Sequence, residues 1–297
     1  MNPLLARYEK MSQSFVPEEI ELRSALRVNT LKISEEELVY RLSARGVVLE
    51  KIPEIPFAYY FTSPFSLVSS EEYLLGYFYL QEVASQLPAL ALAHYVSGEN
   101  VILLDACAAP GSKTTQLAQL YEDKTPIFAC DVTLPRLKKL AYNVERLGIS
   151  SVSWFRKDAR FLFDFEREFD GVLLDVPCSG NFCIEQDFFS LRSPRDFADR
   201  ARLQKELVRS AFAVTKEGGY LIYSTCSLEP EEDEFMVDWI LKNFDVEILD
   251  LPFSLGDPGQ TDIFGKSLDP LVARSRKLWP HRSGTQGFFI AAFKKNS

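Results

Sequence analysis

The sequence predicts an α/β protein in which helices cover both faces of a mostly parallel sheet, preceded by a small α+β unit. Three observations carry that expectation. From about residue 101 onward, short apolar runs of strand length alternate with amphipathic stretches, the pattern of βα units feeding one parallel sheet. Two runs, Leu174-Asp175-Val-Pro-Cys178-Ser-Gly and Tyr220-Leu-Ile-Tyr-Ser-Thr-Cys226-Ser, stop abruptly at polar clusters, as buried parallel strands do where they deliver side chains to their carboxyl ends. The 297 residues, 46% of them hydrophobic, suffice for one large domain and one smaller one.

The smaller unit is placed at 1–72. Ala25-Leu-Arg-Val-Asn-Thr-Leu reads as strand, Ser34 with Glu37 as a capping box for a helix ending at Gly46, Val47-Val-Leu-Glu as strand, and Pro53, Pro56 and Pro64 as loop. Residues 73–297 form the larger domain. It begins with a helical pattern from Tyr73 through Gln81-Glu-Val-Ala-Ser85 to near Gly98, then strand Val101 to Asp105 and helix Lys113 to Leu120. Strand Ile127 to Asp131 follows, then a helix from Pro135 to Leu147 with Gly148 as its left-handed cap. Strands Val152 to Phe155 and Gly171 to Asp175, helix Arg200 to Val214, strand Tyr220 to Ser224 and helix Glu231 to Asn243 come next. Val246-Glu-Ile-Leu and Gly287-Phe-Phe-Ile-Ala-Ala-Phe close the sheet.

Composition excludes several classes. There is no apolar run of membrane-spanning length and no apolar secretory core near the start, so a soluble cytoplasmic protein without a membrane partner is expected. The five cysteines contain no C-x-x-C pair and the chain has two histidines, which argues against a metal site and against a disulfide framework. A net charge of -9 weighs against nucleic-acid binding, but basic residues cluster at Arg136, Lys138, Lys139 and Arg146, at Arg192, Arg195, Arg200 and Arg202, and again from Arg274 through Arg276 and Lys277 to Lys295. Such stripes are either solvated helix faces or a local footprint for RNA.

Leu104-Asp105-Ala-Cys-Ala108-Ala109-Pro110-Gly111-Ser112-Lys113-Thr joins the first core strand to a helix, where backbone N–H groups favour an anionic ligand group. A phosphate loop fails on spacing because Ser112 separates Gly111 from Lys113, and no G-x-G-x-x-G is present. Asp131 ends the next strand, where it is either an acceptor for ribose hydroxyls or a loop cap. Asp158 follows the third strand, as an acceptor for an adenine amino group or as part of a surface turn. Carboxylates at three successive strand ends, Asp105, Asp131 and Asp158, suit a cofactor that carries a nucleoside. Cys107, Cys130 and Cys183 read as small buried hydrophobes, whereas Cys178 and Cys226 stand just past strand ends, placed for one thiol to attack a substrate and the other to help it leave.

Taken together, Asp105-Ala-Cys-Ala-Ala-Pro-Gly-Ser-Lys-Thr, Asp175-Val-Pro-Cys-Ser-Gly, Tyr223-Ser-Thr-Cys-Ser and Gly287-Phe-Phe-Ile-Ala resemble the NOL/NOP/Sun family of RNA cytosine-5 methyltransferases. Arg27-Val-Asn-Thr-Leu-Lys and Gln81-Glu-Val-Ala-Ser resemble its amino-terminal part, so the resemblance spans nearly the whole chain; Asn181 and Asp233 depart from its pattern. The resemblance implies a Rossmann-like methyltransferase sheet and an amino-terminal RNA-binding unit. It implies S-adenosylmethionine across Ala108 to Lys113, Asp131 on the ribose, Asp158 at the adenine and Arg136 nearby. It makes Cys226 the nucleophile and Cys178 the release cysteine, with Asp175 and Lys113 contacting the target base and ordering the site. A base flipped out of unpaired RNA, most readily transfer RNA as in archaeal members, is the expected substrate of a monomeric enzyme. Ribosomal RNA is the alternative substrate, and a non-catalytic RNA-binding assembly factor the alternative class. Retention of both cysteines speaks against the latter, and an amino-group methyltransferase would want an aromatic after Pro-Pro where this chain has Val176-Pro-Cys.

Overall fold

The computed structural model describes residues 3–12, 20–185 and 187–297. Helix α1 (Pro3–Met11) is followed by β1 (Ala25–Val28), α2 (Glu35–Ala44), β2 (Val48–Lys51), β3 (Ala58–Thr62), the short α3 (Glu71–Leu74) and β4 (Phe78–Leu80). The four strands make an antiparallel sheet of order β2-β3-β1-β4. Leu26 and Val28 on β1, Leu38 and Leu42 on α2 and Phe78 on β4 form its core. Ser34 caps α2 by accepting the Glu37 N–H, while the Glu37 carboxylate is held by Arg41 one turn on.

The helical run expected from Tyr73 to Gly98 is instead α3, β4 and α4 (Val83–Tyr95). Gly76 makes the break. Its φ is +75°, and a Cβ there would collide with the carbonyl of Arg146, so only glycine lets the chain reverse this close to a neighbouring helix. The small sheet therefore takes its last strand from beyond residue 72.

The second sheet is built from β5 (Leu103–Asp105), β6 (Ile127–Asp131), β7 (Val152–Arg156), β8 (Phe169–Asp175) and β9 (Thr215–Thr225), all parallel in the order β7-β6-β5-β8-β9. Between them lie α5 (Ser112–Leu120), α6 (Leu134–Leu147), α7 (Phe188–Leu191) and α8 (Pro194–Val214). Helix α8 starts at Pro194, before the expected Arg200, because Ser193 and Asp196 form a reciprocal capping box there. After β9 come α9 (Glu234–Asn243), β10 (Val246–Leu249), β11 (Asp257–Pro258), β12 (Asp262–Ile263), β13 (Lys266–Ser267), β14 (Arg276–Leu278), α10 (Pro280–Ser283) and β15 (Phe288–Lys295). Strand β15 runs antiparallel to β9 and pairs on its other side with β14 and β10.

Side-chain alternation divides the core as a doubly covered sheet requires. Leu103, Leu173, Ile222 and Ile290 pack on one face with α4, α5 and α6. Leu104, Leu174, Tyr223 and Phe289 pack on the other with α8 and α9. The chain steps outward from β5 to β6 and β7, then returns to β8 on the opposite side of β5. That reversal opens a crevice at the carboxyl ends of the strands, the place where such sheets bind ligands.

Candidate active site

A cavity of about 720 Å³ occupies this crevice. Each parallel strand contributes to it: Cys107 after β5, Asp131 on β6, Asp158 after β7, Asp175 and Cys178 at β8, and Cys226 after β9. Arg200, Leu203 and Leu207 of α8 and Arg136 of α6 also line it. Its size lies within the usual range for small-molecule sites, roughly 300–1,000 Å³.

The two strand-end cysteines meet, with Cys178 Sγ and Cys226 Sγ 2.7 Å apart. Contact with Cys226 first, and burial second, push the Cys178 thiol well above its ordinary pKa. Asn181 holds the loops in place: its side-chain amide donates to the carbonyls of Cys226 (2.7 Å) and Gly287 (3.0 Å), so three separate motifs share one side chain. Of the other cysteines, Cys130 is buried as the sequence suggests, whereas Cys107 and Cys183 are half-buried and Cys107 lines the cavity. Burial raises the thiols of Cys107 and Cys130, and raises Cys183 to about 12, which leaves all three as poor nucleophiles.

Beside the thiols, Asp175 is fixed through both oxygens. Lys113 Nζ lies 2.7 Å from Oδ2 and the Ser224 hydroxyl donates to Oδ1 at 2.7 Å. Lys113 is buried on α5 and also donates to Ser85 Oγ at the start of α4 (3.1 Å). Lys113 thus does not line the cavity but braces a carboxylate that does.

The opposite half is looser. Asp131 is buried, accepts the Thr133 N–H at 3.2 Å, and has Arg136 Nη2 3.5 Å from its other oxygen. Arg136 also donates to the Ala109 carbonyl (2.6 Å), tying the turn to the cavity wall. Within the turn, Ala108 and Ala109 are buried, Pro110 is exposed and Ser112 half-buried; none of 108–112 lines the cavity. Gly111 sits at φ +103° as the N-cap of α5, against Leu140 of α6. Asp158 lines the cavity, but both its oxygens are taken by the Arg160 guanidinium, which holds its carboxyl below the usual range, and it also caps the turn that follows. Asp105 points into the protein: its Oδ2 accepts from Thr114, Oδ1 is buried without a partner, and burial raises its pKa to about 7.

Two residues read as surface cations prove to be buried. Arg146 donates to the Tyr73 and Phe78 carbonyls with its guanidinium over the Tyr73 ring, cementing α6 to the small domain. Lys277 lies between Asp233 (3.1 Å) and Glu234 (2.7 Å). Burial alone would lower the Lys277 pKa, and the two carboxylates outweigh it and raise it. Asp233 in turn accepts from Thr225, the residue before Cys226 (2.7 Å). Sequence reasoning missed Ser85, Ser224 and Gln204, whose partners lie far along the chain, although the polar ends of the apolar runs pointed to Ser224. Among the described residues no cluster of His, Cys, Asp or Glu could hold a metal ion, and no helix is long and apolar enough to cross a membrane.

The fold and the crevice are those of the Rossmann-like methyltransferase fold, and comparison with known proteins agrees. A solved structure of a methyltransferase homolog from Pyrococcus horikoshii superposes with a TM-score of 0.84 at 40% identity, covering 93% of this chain and 88% of that one. Residues 92–294 match the family described as 16S rRNA methyltransferase RsmB/F, and residues 2–83 the N-terminal domain of 16S rRNA methyltransferase RsmF. The chain belongs to the RsmB/F family, the NOL/NOP/Sun group its motifs resemble. It is 36% identical over 303 residues to a mouse 28S rRNA (cytosine-C(5))-methyltransferase, and 38% identical over 283 residues to ribosomal RNA small subunit methyltransferase F of Psychromonas ingrahamii. Those matches take in 99% and 92% of this chain but only 37% and 57% of the relatives.

Proposed function

We propose that the protein is an S-adenosylmethionine-dependent RNA cytosine-5 methyltransferase working through a covalent cysteine adduct. The observation that carries this reading is the meeting of Cys178 and Cys226 beside Asp175, which neither a scaffold nor an amino-group methyltransferase needs. The cavity fits the cofactor: a buried carboxylate, Asp131, stands at a strand end with Arg136 beside it, and the Gly111 turn opens a helix N-terminus. Asp131 would hold the ribose, and Arg136, which lines the cavity and is tied to the turn through the Ala109 carbonyl, would hold the carboxylate end. When bound, S-adenosylmethionine supplies an electrophilic methyl group.

Carbon 5 of cytosine is too weak a nucleophile to accept that methyl until a thiol adds at carbon 6. Cys226 forms the carbon–sulfur bond as its thiol proton passes by way of Asp175, which Lys113 and Ser224 fix in place, to ring nitrogen 3, so that no negative charge builds up there. After methylation the carbon 5 proton is lost to solvent water, and the electron pair of its C–H bond restores the ring double bond as the carbon–sulfur bond breaks. Cys178, protonated and in contact with Cys226, returns a proton to the departing sulfur. The relatives' names favour ribosomal RNA over the transfer RNA expected from sequence. The purified chain incubated with labelled cofactor and with transfer RNA or ribosomal RNA decides this by bisulfite sequencing. New 5-methylcytosine in ribosomal RNA alone is expected, in transfer RNA alone would overturn the substrate, and in neither would sink the activity.

A further inference from the structure

Behind the thiols, on the side away from the cavity, a carboxylate is enclosed by neutral donors. Glu232, in the loop between β9 and α9, is fully buried. Its Oε2 accepts the Ser179 N–H at 3.1 Å and the Gln204 side-chain amide at 2.7 Å. Its Oε1 accepts the hydroxyls of Ser227, at 3.0 Å, and of Ser179. Ser179 and Ser227 are the residues that follow Cys178 and Cys226, and their hydroxyls also touch, 3.2 Å apart. Gln204 further donates to the Pro177 carbonyl at 3.2 Å and accepts from Tyr223, whose hydroxyl also donates to the Glu232 carbonyl at 2.7 Å.

A buried carboxylate is tolerated only when its lone pairs are filled, and here three of the four donors come from the two loops that carry the thiols, the fourth being Gln204 of α8. The arrangement therefore resists separation of those loops, because parting them would strip hydrogen bonds from a charge far from water. We propose that Glu232 is a positioning residue that sets the spacing of Cys178 and Cys226, and so the handover from attachment to release. It touches neither RNA nor cofactor and acts through Ser179 and Ser227. The inference rests on the covalent-adduct reading for its kinetic consequence, but its geometric content is independent of that reading.

Glu232→Gln keeps the shape and replaces one acceptor by a donor, which sets an N–H against the serine hydroxyls. The first readout needs no RNA. In chains whose Cys107, Cys130 and Cys183 are replaced by Ala, oxidised glutathione should convert Cys178 and Cys226 to a disulfide, with two molecules of reduced glutathione released. Glu232→Gln should slow that closure by on the order of tenfold. The second readout is kinetic: the variant should retain covalent attachment to RNA but lengthen the adduct's life by a similar factor. Should Glu232→Gln fold poorly, Ser179→Ala removes only the arm beside Cys178 and should slow release more than attachment. Ser227→Ala removes the arm beside Cys226 and should slow attachment more. Unchanged disulfide closure in folded Glu232→Gln overturns the proposal, as does equal slowing of attachment and release in both serine variants. Normal closure control with no adduct in any chain would instead count against the adduct chemistry itself.

Discussion

The two halves of the cavity are built differently. On the thiol side, Asp175 has both oxygens occupied, Asn181 joins three motifs, and Glu232 and Lys277 lie in networks with almost no access to water. On the other side, Asp131 has the N–H and, at 3.5 Å, the hydroxyl of Thr133 and a distant arginine, and Asp158 is held by the partly exposed Arg160. Groups that must meet a reacting atom gain from being fixed before it arrives, since any rearrangement during reaction adds to the barrier. Groups that hold a dissociable ligand are served by partners that can let go. On the proposed function, the rigid half is the one that makes and breaks bonds and the loose half the one that exchanges a molecule each turnover.

The largest expected effect tests the rigid half. Cys226→Ala should reduce methyl transfer and adduct to background, whereas Cys178→Ala should permit attachment and methylation but slow release, so that a denaturation-resistant enzyme–RNA complex accumulates. Denaturing gels with labelled RNA read both, and the double variant should lose the complex. An adduct confined to Cys226→Ala would mean that the two thiols have been assigned in the wrong order.

A smaller effect tests the loose half. Asp131→Ala should weaken cofactor binding by about 1.5–3 kcal/mol, the usual worth of a hydrogen bond to a charged group. Titration calorimetry without RNA measures it, and unchanged affinity removes Asp131 from the site. Arg160→Ala should release Asp158, and the same titration then shows a modest gain if Asp158 faces the cofactor and none if it serves only the turn.

How much of this contrast was readable in the sequence follows from the range of the interactions involved. Strands β5, β6, β8 and β9 announced themselves because buried parallel strands are continuous apolar runs, and their polar ends marked Asp175, Cys178 and Cys226. Strand β4 was hidden because Phe78-Tyr-Leu sits between two helical segments and only the contact of Gly76 with Arg146 separates them. Lys277 and Arg146 looked like surface cations because nothing local reveals that their partners are Asp233 and Glu234, or the carbonyls of Tyr73 and Phe78. Asp158 lines the cavity and also caps its turn with Arg160 on its carboxylate, so both roles that the sequence offered for it have a counterpart in the fold.

The smallest predicted effect concerns stability. Asp105 is protonated in the fold up to about pH 7 but ionises in the unfolded chain near 3.8, so the folded state holds the extra proton between those values. Its contribution to stability is therefore full below pH 4 and declines as pH rises toward 7. Asp105→Asn should flatten that decline, and calorimetric melting at pH 5 and pH 8 compares the two; parallel curves would show that Asp105 does not titrate in this range.

The burial of Lys277 has a consequence for the order in which the protein matures. Asp233 and Glu234 lie in the stretch that follows Cys226, and the ammonium between them arrives more than forty residues later, on β14. While the chain is being made, all five parallel strands and both thiols emerge before that counter-charge exists. Two carboxylates cannot be sealed from water without it. The loop that follows Cys226 is sealed only once β14 lays Lys277 into place, so the setting of Cys226 comes after that of the parallel strands around it.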